Sequence, residues 1–220
     1  MKLYDFKMAP NPQRVNMFLA EKGVEIPTVE INTRERAQFS DSYMAINAVS
    51  QVPTLELDDG TCIAETMAIC RYIEELHPEP ALFGSDAKQK ALIEMWSRRA
   101  EFMGYLAAAD MLRNSSPAFE DRGLPGVSGG VPQIGELIER GRAALGRFFA
   151  HFDDRLGAER FVAGDAFSVA DITTFVTIRF AARVEVEPPA ACANLARWLA
   201  DVGARPSAAA VWPVAWLMKR

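Results

Sequence analysis

The chain has 220 residues, half of them hydrophobic, with 24 basic and 29 acidic side chains and a net charge of -5. That is enough apolar material for one large domain or two modest ones. The acidic balance gives no general electrostatic reason to bind nucleic acid or an anionic membrane. The chain does not open on a basic segment followed by an apolar run, and its most apolar stretch, Val169 to Ala182, is interrupted by Asp171 and Arg179. A soluble, cytoplasmic protein without a membrane partner is therefore expected. Cys62, Cys70 and Cys192 are odd in number and widely spaced, and His77 and His151 are equally scattered. Neither a disulfide frame nor a metal site is indicated.

Lys2 to Phe6 reads as a strand, and Pro12 as the start of a helix that carries Val15, Phe18 and Leu19 on one face and stops at Gly23. A second strand near Thr28 to Asn32 completes a βαβ unit, whose strands should be parallel with a right-handed crossover. Arg34 to Ile46 is polar with occasional apolar positions (Phe39, Tyr43), either a helix or irregular turns. Thr54 to Leu57, an Asp59-Gly60 turn and Thr61 to Ala64 form a hairpin. Glu65 and Thr66 open the next helix, which places Ile69, Tyr72, Ile73 and Leu76 on one buried face before His77-Pro78 ends it. The order of these elements matches a small mixed sheet with helices packed on it, the thioredoxin-like arrangement.

Pro78 to Asp86 reads as a linker, and beyond it the pattern is helical throughout. Ala87 to Arg113 is predicted as one long helix, with Leu92, Met95, Trp96, Met103 and Leu106 at helical spacing. Asn114 to Val131, rich in Gly, Pro and Ser, is a long loop of the kind that carries function. A helix from Pro132 presents Ile134, Leu137, Ile138, Leu145, Phe148, Phe149 and Phe152. Two more are predicted, Ser168 to Arg183 and Ala190 to Val202, before a tail with Trp212 and Trp216. Ser168-x-x-Asp171 is a capping-box variant and is assigned to folding.

The stretch Gln51 to Thr66 has the character of a peptide-binding edge. Val52-Pro53 before the hairpin is either a cis bond, which turns the neighbouring backbone groups outward to a ligand, or a plain edge proline. Glu65 is either part of a ligand site or an ordinary acid at a helix N-terminus.

Four segments then carry a resemblance: Lys2 to Phe6 into Arg14-Val15; Asn47 with Gln51 to Gly60; Ala64-Glu65-Thr66-x-Ala68-Ile69-x-x-Tyr72-Ile73; and Ala163-Gly164-Asp165-x-Phe167-Ser168-x-Ala170-Asp171-Ile172. In this order they resemble the cytosolic glutathione transferases along essentially the whole chain, most of all the fungal-type and bacterial members. The resemblance implies an N-terminal thioredoxin-like α/β domain, residues 1–80, and an all-helical C-terminal domain, residues 87–220. It implies glutathione as co-substrate, a small hydrophobic electrophile as the second substrate, and a homodimer. Val52 and Pro53 would pair with the cysteinyl backbone of glutathione, Glu65 and Thr66 would hold its γ-glutamyl end, and Gln51 its glycyl end. The electrophile would lie near Met8, Tyr105, Leu112, Phe119, Trp212 and Trp216. Asp110 would be either a solvated acid or a contact to the glutathione of the other subunit.

The resemblance breaks at the catalytic position. Relatives place a Tyr, Ser or Cys at the end of the first strand or the start of the first helix, whereas Phe6 to Arg14 contains no hydroxyl or thiol. Pro10 falls at the usual Ser or Cys position and Asp5 near the usual Tyr position. Tyr4 points with Phe6 by strand alternation and reads as core. Without a cysteine there, thiol-disulfide exchange is disfavoured, and the thiolate must be stabilised by other means. Asn11 at the helix start, and a water oriented by Ser115 or Ser116, are the catalytic candidates, with turn residues the alternative for the two serines. Conjugation is the expected reaction; a glutathione-dependent isomerase or dehalogenase, or a non-catalytic glutathione-binding module, are the alternatives.

Overall fold

A computed structural model describes residues 1–211; Trp212 and Trp216 lie outside the described residues. The N-terminal part is a four-stranded sheet in the order β2-β1-β3-β4, built from β1 (Lys2–Asp5), β2 (Thr28–Glu30), β3 (Thr54–Glu56) and β4 (Cys62–Ala64). β1 and β2 are parallel and joined by α1 (Pro10–Lys22), while β3 runs antiparallel to both β1 and β4. Strand alternation sorts the side chains. Leu3 and Leu55, paired across β1 and β3, are fully buried with Val15 and Phe18 of α1 and with Ile69 and Ile73 of α3 (Thr66–Leu76). Tyr4 and Phe6 turn to the opposite face, into a smaller cluster with Ile31, Tyr43 and Val52.

One boundary near the site differs from the sequence expectation. α1 begins at Pro10 rather than Pro12; both prolines fit the first turn, where an N–H has no helical acceptor to lose. Its end is as expected, with Gly23 left-handed at φ 65°. The ambiguous stretch after β2 holds a 3₁₀ turn (Ala37–Phe39) and a four-residue helix, α2 (Asp41–Met44), capped by the Ser40 hydroxyl.

The helical part contains α4 (Ala87–Arg99), α5 (Leu106–Ser115), α6 (Glu136–Ala158), α7 (Val169–Ala182) and α8 (Ala193–Gly203). The long helix expected from Ala87 is continuous but carries a π-helical turn, Ala100–Tyr105, between α4 and α5. Gly104 in that turn is pressed against α7 and α6: a Cβ there would lie 2.6 Å from Thr177 and 2.9 Å from Phe148. α6 starts four residues later than expected, because Pro132 to Gly135 is used as a tie. Gln133 donates to the Arg113 and Ser116 carbonyls and Ile134 N–H donates to Asn114, which leaves Ile134 exposed.

α7 lies at the centre, with nearly every side chain buried, which is why it shows no polar face. Its start is clasped by Asp171, whose carboxylate accepts from the Ser168 N–H and hydroxyl, the Val162 N–H and the Trp198 indole of α8. The structural role read from the sequence is thus extended to a tie between α7 and α8. α1 joins the two parts of the molecule: Arg14 reaches Thr173 of α7 at 3.3 Å, and Glu21 accepts two bonds of 2.7 Å from Arg205. Among the described residues no helix is long and apolar enough to cross a membrane.

Candidate functional site

At the C-terminal end of β1 and beside the hairpin, a cleft collects Asn11, Asn47, Val49, Gln51, Val52, Pro53, Ala64, Glu65 and Thr66. All the candidate glutathione contacts and one catalytic candidate, Asn11, are among these residues. A larger cavity of about 350 Å³ lies between α7 and α8, but it shares none of them and is mainly apolar. The chemistry therefore points to the smaller cleft.

The Val52-Pro53 peptide is cis. The loop leading to it is held by two buried side chains whose role was not legible in the sequence. The Tyr43 hydroxyl donates to the Gln51 carbonyl at 2.6 Å and lies 3.1 Å from the Thr54 hydroxyl. Asn47 donates to the same carbonyl and the same hydroxyl at 3.0 Å, while its Oδ1 accepts the Val49 N–H. In the sequence Tyr43 reads as an occasional apolar position, and the signal for Asn47 is only its place at the head of the motif. The long loop also leans on this segment. Gly126, at φ 75°, approaches so closely that a Cβ would lie 2.6 Å from the Val49 carbonyl and 3.3 Å from Gln51 Nε2.

Thr66 is the first residue of α3, and no side chain caps that helix. Its hydroxyl is buried and has no hydrogen-bond partner. The residue before it, Glu65, is exposed and held at φ 66° and ψ 121°, a conformation unfavourable for a side chain other than glycine. Free N–H groups of the first turn, the helix dipole and an unpartnered hydroxyl together suit a carboxylate.

Asn11 occupies the first turn of α1, where both neighbours are proline and lack an N–H. Ala9 N–H is taken by Phe6 and Gln13 N–H by Ala9, so Asn11 supplies the free backbone donor of that turn. Its side-chain Oδ1 accepts from Arg14 Nη1 at 3.2 Å, while its amide NH2 donates to no protein group among the described residues, and the residue lines the cleft. Arg14 is itself buried and paired with Glu101 of the π-helical turn at 3.1 Å. Helix dipole and two N–H donors at one residue can stabilise an anion such as a thiolate.

The other candidate positions for catalysis lie outside the cleft lining. Tyr4 is buried and its hydroxyl donates to Glu56 at 2.7 Å, in keeping with a core role. Asp5 is buried under α1 and accepts one bond from Asn16, while its other oxygen has no partner; burial raises its carboxyl above the usual range. Ser115 and Ser116 do not line the cleft. Ser115 is exposed on the last turn of α5, and Ser116 uses its backbone to bind Leu112 and Gln133. Asp110 is half-buried and its carbonyl accepts from Asn114.

Residues expected around the electrophile fall into two separate groups of contacts, one through Met8 and Tyr105 and one at Phe119. The Met8 carbonyl accepts from Arg183, the Arg183 guanidinium lies over Phe180, Phe180 packs on Tyr105 at 5.3 Å, and Arg113 lies over Phe119 at 4.8 Å. Leu112 packs against the main core.

A thioredoxin-like sheet with a cis-proline peptide edge, joined through α1 to an all-helical part, is the architecture of the glutathione transferases. Residues 1–75 match the model of the glutathione S-transferase N-terminal domain and residues 135–201 that of the C-terminal domain. The chain is 36% identical over 213 residues to glutathione S-transferase 2 of Saccharomyces cerevisiae, covering 94% of this chain and 87% of that protein. The crystal structure of a glutathione S-transferase domain-containing protein from Marinobacter aquaeolei VT8 superposes with a TM-score of 0.87 at 33% identity, covering 94% of this chain and 99% of that one. A shorter match, 34% over 93 residues, is to maleylacetoacetate isomerase of Pseudomonas aeruginosa, covering 41% of this chain and 44% of that protein. The chain belongs to the glutathione S-transferase family.

Proposed function

We propose that the protein binds glutathione in the Asn11 to Thr66 cleft, stabilises its thiolate and adds it to the electrophilic carbon of a small hydrophobic substrate. The observation that carries this reading is the buried, unpartnered hydroxyl of Thr66 at the uncapped start of α3, beside a cis-proline edge. Thr66 and the α3 N–H groups receive the γ-glutamyl carboxylate, with Glu65 near the amine. The Val52 backbone pairs with the cysteinyl residue as an added strand would. Gln51 binds the glycyl end, steadied by the Gly126 contact.

The cysteinyl sulfur then faces Asn11. A free thiol with a reference pKa of about 8.5 is mostly protonated at neutral pH, and lowering that value by two units takes about 2.7 kcal/mol. The α1 dipole contributes roughly 0.3 to 2 kcal/mol of this, and the two Asn11 donors add charge-assisted hydrogen bonds. The remaining element is a water reaching the sulfur from the end of α5, where Ser115 and Ser116 stand outside the cleft lining and would orient it from a distance. Ser115→Ala and Ser116→Ala are expected to shift the pH profile of conjugation; unchanged profiles in both assign the work to Asn11 and the helix.

Residues 1–80 and 87–220 are the two domains in this reading, and the free thiols of Cys62, Cys70 and Cys192 suit the reducing cytoplasm. The test is retention on immobilised glutathione together with turnover of an activated aryl halide. Retention without turnover identifies a binding module instead. The isomerase match favours a second reading, in which the same thiolate adds to and leaves an unsaturated substrate; glutathione is then not consumed, and its loss over time separates the two reactions.

A further inference from the structure

Around Tyr105, the last residue of the π-helical turn, two arginines are held without a carboxylate. Arg113 gives Nη1 to the carbonyls of Arg122 and Leu124, at 3.3 and 3.1 Å, and stacks on Phe119. Arg183 gives Nη1 to the Met8 carbonyl at 3.0 Å and covers Phe180. Neither has an acidic partner within ion-pair distance among the described residues. By contrast Arg14, Arg98 and Arg205 are each paired with a glutamate. A half-buried guanidinium normally finds a counter-charge, because desolvation of an unpaired cation is costly. The Nε and Nη2 donors of both arginines remain unused, yet none is sealed in the core, so they face accessible space.

The position of this pair is specific. Arg183 is bonded to the β1–α1 loop three residues before Asn11, the group assigned to the thiolate. The Tyr105 ring packs on Phe180 at 5.3 Å, Arg183 lies over that same Phe180, and both Arg113 and Arg183 act on the phenol electrostatically. Burial pushes the Tyr105 phenol up to about 12, against the pull of Arg14, Arg113 and Arg183, so the hydroxyl is a neutral donor across the physiological range. The same burial depresses both guanidinium groups, as expected of cations short of a counter-charge.

We propose that Arg113, Arg183 and Tyr105 form an anion-recognising part of the second-substrate site, and that the preferred electrophile carries a carboxylate as well as an apolar body. The apolar body lies against Phe180 and Phe119, and the carboxylate receives the free edges of the two guanidinium forks and the phenol. This inference rests on the proposed conjugation reaction for its reactive centre but not for its anion preference.

The experiment compares 4-chloro-3,5-dinitrobenzoate with its methyl ester. In each, glutathione sulfur bonds to the ring carbon, chloride leaves with the bonding pair and the thiol proton passes to solvent. The acid-to-ester ratio of kcat/KM is expected to be at least about tenfold in the unaltered protein, the scale of one charge-assisted contact. Arg183→Met and Arg113→Met should each collapse that ratio, and Arg183→Lys should recover part of it. Should the Met variants fail to fold, the Lys variant and Tyr105→Phe still read the ratio, each expected to lower it.

Direct titration of unreactive 3,5-dinitrobenzoate and its methyl ester, with glutathione present, reads the preference without turnover. If neither halide reacts but the acid binds about tenfold more tightly than the ester, the conjugation reading fails and the anion site stands. Equal binding of acid and ester overturns the anion site. So does a ratio unchanged in the variants while glutathione binding weakens, which would assign the arginines to glutathione itself.

Discussion

At the scale of single residues, the site divides into groups whose spacing exposes them and groups that only the folded chain brings into play. Thr66 belongs to the first kind. Its hydroxyl has no hydrogen-bond partner within the protein, so Thr66→Val should leave the melting temperature unchanged or slightly raised while weakening glutathione binding about tenfold or more, as read by calorimetry; Thr66→Ser should bind nearly normally. For Asn11 the readout is the ionisation of bound glutathione, followed by thiolate absorbance against pH. Asn11→Ala should raise the thiol pKa by about one unit, or roughly 1.4 kcal/mol, and Asn11→Asp by more, and no change in either variant would sink the assignment. Asp5 makes a pH-dependent contribution of the opposite kind. Its carboxyl is raised by burial, so the native state holds the proton more tightly than the unfolded chain, and its contribution to stability declines as pH climbs from about 4 towards the raised value. Asp5→Asn should therefore gain on the unaltered protein across that window in denaturation midpoints taken at several pH values. Gln51, Val52, Pro53, Glu65 and Thr66 could be named as candidates because the resemblance is carried by the one local hairpin and helix start on which they stand. Tyr43 could not, because its hydroxyl matters only once α2 has folded against the loop.

Among elements, the strands and most helices follow from alternation and helical spacing, and the departures have local causes. α6 starts late because Gln133 and Asn114 use the intervening backbone and side chains to tie two segments, a long-range arrangement that periodicity does not encode. The π-helical turn is equally silent in the sequence, since Gly104 reads as a mild helix weakener until Thr177 and Phe148 are seen against it. Gly104→Ala should accordingly cost about 1 to 3 kcal/mol in chemical denaturation. At the start of α7, Ser168→Ala should cost about 0.5 to 2 kcal/mol with glutathione affinity intact. Asp171→Ala should cost more, because the Val162 N–H and the Trp198 indole lose their acceptor as well. Weakened affinity at unchanged stability in the Ser168 variant would contradict a purely structural role.

For the whole molecule, the resemblance conveys the two-part plan, and α1 shows how it is joined: one face serves the sheet and Arg14 and Glu21 reach the helical part. The sequence conveys nothing of the exposed face made by Met95, Phe102 and Leu106 along the α4–α5 rod, the candidate contact for the homodimer that the resemblance implies. Phe102→Glu should convert a dimer to a monomer by light scattering, whereas an unchanged mass would place the contact elsewhere. The π-helical turn sets the azimuth of everything that follows it on that rod. A single deletion within Ala100–Tyr105 that restored ordinary helix would draw α5 back by about 1.5 Å and rotate it by about 100°. Arg113 would then lose its place over Phe119, and Asn114 its reach to Ile134. Point substitutions along this rod act locally, but its length in residues works as a gear tooth, so relatives that differ there by one residue are expected to present a different set of side chains to their second substrate.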